Sequence, residues 1–276
     1  MTKTQMFLNE KFILKLLYLI SIKRRISLVS VTQRIKEIKQ PNGGYLSRKA
    51  FEITQLTPDK MIDSKEENIA PQVMGLVVDY LTRFILTQDV RKAFAISLSG
   101  AATVDQLDTA ELWASKIKDN DDNSIIYASQ LVNYDTVVRA GVLPEKFEKP
   151  DSITISHIKE LVGRSLSFFK QIGDVTEDGF TFEGGYTNVI DRGDGDFLTE
   201  DTLWDFKVSK QQPQKNSTLQ LIIYYLMGKT SQKSIFKDIR YIGIYNPRLN
   251  QIYKYDMKQA DPKMIETISK NVIGYD

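Results

Sequence analysis

The stretch 193–208 leaves few ways to fold. Apolar and acidic positions alternate on either side of Glu200-Asp201, which predicts two short strands joined by a two-residue turn. With that turn, Leu198 falls opposite Leu203 and Asp196 opposite Asp205. Asp196, Asp205 and Lys207 then project from one face, with Phe197 and Trp204 on the other. Two carboxylates facing each other across a ladder repel unless positive charge lies between them. A divalent metal is the occupant expected there, with Lys207 leaning over it. The competing reading is an ordinary surface hairpin in which Lys207 is a salt-bridge partner.

Composition narrows the chemistry. The 276 residues include no cysteine and one histidine, His157. Disulfides, thiolate zinc sites, iron–sulfur clusters and Cys nucleophiles are therefore excluded. A multi-His centre is excluded too, and His157 reads as a surface or helix-cap residue without a role. Any metal must be held by oxygen, which favours Mg²⁺ or Mn²⁺. Net charge is +2, but residues 1–60 carry twelve Lys/Arg against four Asp/Glu. A basic N-terminal portion on a mildly acidic body suits an anionic partner, and equally a solvated basic helix. The apolar run Phe12 to Ile20 is interrupted by Lys15, is too short to span a bilayer and lacks a cleavage site after it. It predicts an amphipathic helix in a cytoplasmic protein.

Along the chain, residues 9–39 show helical spacing, and Gln40 to Gly44 is a turn or linker. The division expected is a basic helical arm at 1–44 and a larger domain at 45–276, with a helical insertion at about 91–172. Pro58 to Lys60 reads as a loop or the start of a short helix. Pro71 opens a helix to Leu86 that is apolar almost all round, so its Asp79 needs a partner or a purpose. Two helices follow within 104–141, with Asp108 and Ser124 as candidate caps, and another at 152–171. After Gly173 the pattern turns to strands: 179–183, a lead-in at 189–191, and the opening hairpin. A helix at 218–227, a hairpin at 240–255 and a helix from Asp261-Pro262 complete the chain. This order predicts an α/β fold with a mixed central sheet flanked by helices and a helical N-terminal region.

Four motifs in this order resemble the PD-(D/E)XK nuclease superfamily, and most closely its RecB-like branch. Gly75 to Asp79 resembles G-x-x-x-H, with Asp in place of His. Gly193 to Asp196 resembles G-x-x-D, Asp205-Phe206-Lys207 resembles D-x-K, and Gln220 to Tyr224 resembles Q-x-x-x-Y. The resemblance covers roughly 71–256 and implies a restriction-endonuclease-like core that hydrolyses phosphodiester bonds in DNA with Mg²⁺ or Mn²⁺. It implies metal ligation by Asp79, Asp196, Asp205 and the carbonyl of Phe206. Asp196, Asp205, Lys207, Gln220 and Tyr224 would form the catalytic set. Lys207 would orient water or stabilise charge.

Several readings stay open. Asp79 is either a hard oxygen ligand or a buried acid paired with an arginine. Gln220 is either a site residue or a polar position near a helix start. Asp191 and Asp194 read as turn and rim residues, and Trp113 and Tyr134 as core or interface positions. Arg248 and Lys254 reach phosphate or lie on a solvated edge. A chain lacking G-x-x-x-x-G-K-[ST] has no P-loop motor, so a helicase or other protein partner would be a separate chain. The alternative function is a non-cleaving module that binds nucleic acid or protein.

Overall fold

The apolar alternation in the second half of the chain is realised as a mixed sheet. The structure, a computed structural model, describes residues 29–56, 61–147 and 149–276. The expected helix at 12–20 and the loop at 58–60 lie outside them. In chain order the elements are β1 (Val29–Ser30), α1 (Val31–Glu37), β2 (Glu52–Gln55), α2 (Pro71–Thr87), α3 (Val90–Ala93), α4 (Ala95–Thr103), α5 (Leu107–Ala114), α6 (Asp122–Leu131), α7 (Asp135–Ala140) and α8 (Ser152–Ile172). Strands β3 (Glu177–Thr181), β4 (Ile190–Arg192), β5 (Asp194–Leu198) and β6 (Thr202–Phe206) follow. Then come α9 (Lys215–Thr230), β7 (Tyr241–Asn246), β8 (Gln251–Asp256) and α10 (Pro262–Thr267). No helix among the described residues is long and apolar enough to cross a membrane.

The main sheet runs β2-β8-β7-β6-β5-β3. Only β6 and β7 pair in parallel, with α9 as the crossover between them; the other neighbours are antiparallel. Parallel neighbours need such a crossover, and the chain supplies it directly after the 193–208 hairpin. That hairpin has the expected register: Phe197 pairs Trp204, Leu198 pairs Leu203, and Thr199 N–H closes the turn on Thr202 O.

β6 is buried throughout and feeds two cores. Trp204 and Phe206 join Phe197 and Tyr245 under α2 and α8, where Phe168 stacks on Tyr245 at 3.9 Å. Leu203 joins Leu198, Ile242 and Ile244 under α9. β2 was not expected from its mixed composition. It is exposed along its length and is held as an edge strand by β8.

The described part of the basic arm packs into the body. β1 pairs with β4 in parallel, Val31 and Ile35 enter the α9 core, and Arg34 donates to the carbonyls of Val272 and Asn271. Two helix starts differ from expectation. Gln106 precedes α5, placing Asp108 in its first turn, and Asp121 rather than Ser124 caps α6 by accepting from Ser124 N–H. The acid three residues earlier starts α6 sooner, and Ser124 falls inside its first turn.

Gly243, in the middle of β7, is explained by its neighbour. A Cβ there would lie 2.4 Å from the Trp204 ring, which covers this position from the adjacent strand. Gly243→Ala should destabilise the fold by about 1–3 kcal/mol, because the indole has a packed core behind it. Urea unfolding at unchanged m-value is the measurement.

Candidate active site

Where β5 begins and β6 ends, α2 approaches from one side and α9 from the other. Asp79, Asp196, Asp205, Phe206, Lys207, Gln220 and Tyr224 all line the resulting cleft of 470 Å³. The hairpin register carries Asp196 and Asp205 to neighbouring strand ends. Phe206 N–H donates to Asp196 Oδ2 at 2.7 Å, tying the two strands beyond their last paired residues. Gly75 also lines the cleft; a Cβ there would meet nothing within 4 Å, so packing does not demand glycine. Gly195 is different, since a Cβ would fall 2.1 Å from the Phe180 ring.

Asp205 is 3% exposed and lies at the end of a fully buried strand. Its Oδ1 accepts from Lys207 Nζ at 2.9 Å, and its Oδ2 is buried with no hydrogen-bond partner. Among the described residues it is the one buried carboxylate oxygen left so. Lys207 Nζ also reaches Gln220 Oε1 at 3.4 Å, and Gln220 Nε2 donates to the Tyr224 hydroxyl at 3.1 Å. Four residues apart on α9, Gln220 and Tyr224 share a helix face, which is why one chain of bonds can join them to β6.

Asp79 has an arginine partner. Arg83 Nε donates to Asp79 Oδ1 at 2.8 Å, Nη1 to Asp178 Oδ1 at 2.8 Å and Nη2 to Asp196 Oδ1 at 3.2 Å. The guanidinium also lies 4.6 Å from the centre of the Phe197 ring. One cation thus gathers three carboxylates from α2, β3 and β5. Arg83 and Asp178 were not read from the sequence. The signal for Arg83 was its position four residues after Asp79 on a helix; Asp178 carried none.

Burial pushes the Asp205 carboxyl up to about 6, with Asp196 adding to the rise and Lys207 opposing it. Asp79 is pushed to about 6 by burial and by Asp196, against the pull of Arg83. For Lys207, burial works to lower the ammonium but the Asp205 and Asp196 charges outweigh it, so it is held above its ordinary value. Burial and the nearby acids raise the Tyr224 phenol well above its usual range, keeping it protonated.

The donor set can be weighed against a metal. Among the described residues no three His, Cys, Asp or Glu side chains converge as a ready cage. Asp196 and Asp205 are nevertheless the hard oxygen donors that Mg²⁺ takes, since it binds through one or two carboxylates and keeps several waters. The free Oδ2 of Asp205 fits that role. Asp196 shares its oxygens with Phe206 N–H and Arg83.

Other sequence candidates lie elsewhere. Arg248 neither faces solvent nor offers itself to phosphate: it is 3% exposed and forks onto Glu67, which also meets His157 Nδ1 at 3.0 Å. Lys254 lies 4.1 Å from the Tyr241 ring centre. Tyr134 is buried and Trp113 packs beside it. Asp194 is exposed on the cleft rim, and Asp191 pairs with Arg192. No family model, no curated protein and no solved structure matches the chain.

The raised carboxyls make stability pH-dependent. Folded Asp205 and Asp79 keep their protons to about 6, whereas an ordinary aspartate gives its proton up near 3.8. Their contribution is fully present below the lower value and is lost as pH rises through the upper one. In metal-free buffer, wild type should lose melting temperature relative to Asp205→Asn as pH rises from 4 to 7. Parallel melting curves of the two proteins across that window would remove the basis for this assignment.

Proposed function

We propose that the chain is a cytoplasmic, metal-dependent nuclease that hydrolyses phosphodiester bonds in DNA, on a restriction-endonuclease-like core of the RecB-like PD-(D/E)XK kind. The observation that carries this reading is Asp205 Oδ2, a buried carboxylate oxygen without a partner, beside Lys207 and Asp196 in one cleft. Leaving such an oxygen unpaired costs stability, and groups of this kind concentrate at sites of chemistry.

Asp196 and Asp205 would hold the ion, with the Phe206 carbonyl as the further ligand that the resemblance implies. Asp79 enters this reading through Arg83, or as a further ligand once that pair opens. Bound there, Mg²⁺ or Mn²⁺ would supply an activated water and neutralise charge on the phosphate oxygens. Lys207 brings a permanent ammonium to the same place, fixed by Asp205 and Gln220, to orient that water or stabilise developing charge. Tyr224 holds the Gln220 amide so that its oxygen faces Lys207.

One observation favours the alternative of binding without cutting: Arg83 already occupies Asp79 and Asp196 with a fixed positive charge. The two readings separate in one assay. The full chain should cut linear, circular or single-stranded DNA only when Mg²⁺ or Mn²⁺ is present. Asp205→Ala and Lys207→Ala should each slow cleavage by about 10²–10³-fold or more, the usual effect of removing one charge-stabilising group. Cleavage undiminished in both variants, or salt-dependent binding with no cleavage, overturns the nuclease assignment.

A further inference from the structure

Arg139 ends a chain of buried polar contacts that the reading above leaves unused. It stands in the last turn of α7, within the helical segment between α2 and β3. Its side chain lines the 470 Å³ cleft and also an adjoining cleft of 730 Å³, the two sharing Asp79, Asp194 and Asp196. In the smaller cleft the basic residues are Lys207 and Arg139. They come from different parts of the chain, one from the sheet and one from the helical segment.

What holds Arg139 is unusual for a surface arginine. Asp135, four residues earlier, is completely buried and accepts from Ser97 Oγ at 2.5 Å and the Tyr80 hydroxyl at 2.6 Å. Arg139 Nε lies 3.5 Å from Asp135 Oδ2, and its Nη2 lies 3.5 Å from the Tyr80 oxygen. Burying a carboxylate among helices is expensive, and an apolar side chain would pack there at lower cost. Burial drives the Asp135 carboxyl up, while Ser97, Tyr80 and Arg139 pull it back. The contacts to Arg139 are long, and its side chain is 47% exposed. The guanidinium is therefore aimed rather than consumed. A planar fork with donors to spare, facing a cleft, is the geometry that grips two oxygens of one phosphate.

The geometry points to Arg139 as a phosphate-binding residue for the nucleic-acid strand, contributed by the helical segment, with Asp135 as its positioning residue. This rests on the nuclease reading for the identity of the ligand. The phosphate gripped lies beside Asp194 and Asp196, so Arg139 registers the strand against Asp205 and Lys207. Lys92 and Lys233 also line the larger cleft, Lys92 3.8 Å from Asp178 and Lys233 paired with Glu183.

The test uses the full chain and a fluorescent oligonucleotide, single- or double-stranded. Anisotropy in Ca²⁺ measures binding, and cleavage in Mg²⁺ gives kcat and KM. Arg139→Ala should weaken binding about tenfold and lower the slope of log K against log salt by about one. KM should rise more than kcat falls, and free guanidinium should restore part of the loss. Arg139→Lys, which keeps charge but not the fork, should recover only part of the affinity. Asp135→Asn should weaken binding and lower the salt slope toward that of Arg139→Ala, because a misplaced Arg139 no longer neutralises its phosphate; a merely structural role would leave the slope unchanged. Wild-type affinity and salt slope in Arg139→Ala overturn the inference. If the alanine variant fails to fold, wild-type affinity in Arg139→Lys overturns it instead. A wild type that binds without cutting, with Arg139→Ala weakened, leaves this inference standing while the nuclease reading falls. A wild type that neither binds nor cuts removes both.

Discussion

The pairing of Leu198 with Leu203 fixes the rest of the molecule. A strand's side chains alternate, so sliding β5 by one residue along β6 would move every β5 side chain to the opposite face. Phe197 would leave the core under α2 and α8, and Asp196 would enter it. The apolar cost of that slip includes the buried Phe197 side chain, worth roughly 1.5–3 kcal/mol. The aromatic face therefore enforces the placement of the acids, and the cost of burying Asp196 in that core acts in the same direction.

Placing charge at the end of a buried strand has an electrostatic consequence. Asp205 loses water on nearly every side, and Lys207 compensates one of its two oxygens. Arg83 does similar work for Asp79, Asp178 and Asp196, through three separate donors. Each cation here holds apart or together groups from different elements: Lys207 links β6 to α9, and Arg83 links α2 to β3 and β5. Removing either one leaves buried carboxylates uncompensated, which costs more than the pair itself contributes. The site is thus part of the tertiary structure and not an addition to it.

The hairpin, α2 and α9 were legible because their signals are local: a two-residue turn between alternating runs, a proline at the first helical position, an apolar stripe. Seven residues read as site candidates line one cleft because all of them sit on those elements. The illegible parts depend on distant partners. β2 is a strand only because β8, some two hundred residues later, offers an edge. α4, rich in Ala, Ser and Gly, has almost no contrast between its faces, so periodicity could not mark it. Arg248 looked like a surface cation until Glu67, far away in sequence, took both arms of its fork. Arg83 was visible as spacing from Asp79 but not as the hub of three acids. Its other two partners come from strands whose approach no local pattern records.

Asp79 and Tyr80 are consecutive on α2 yet serve separate networks, the first through Arg83, which reaches Asp178 and Asp196 on the sheet, and the second through Asp135. Neighbouring helical residues point about 100° apart. A helix anchored in two directions by short polar bonds is locked in torsion: a turn that improved one set of bonds would shear the other. α2 thus behaves as an axle pinned at both the sheet and the helical segment. Motion of that segment relative to the sheet must be carried by the connections flanking α2, since the helix cannot roll to accommodate it.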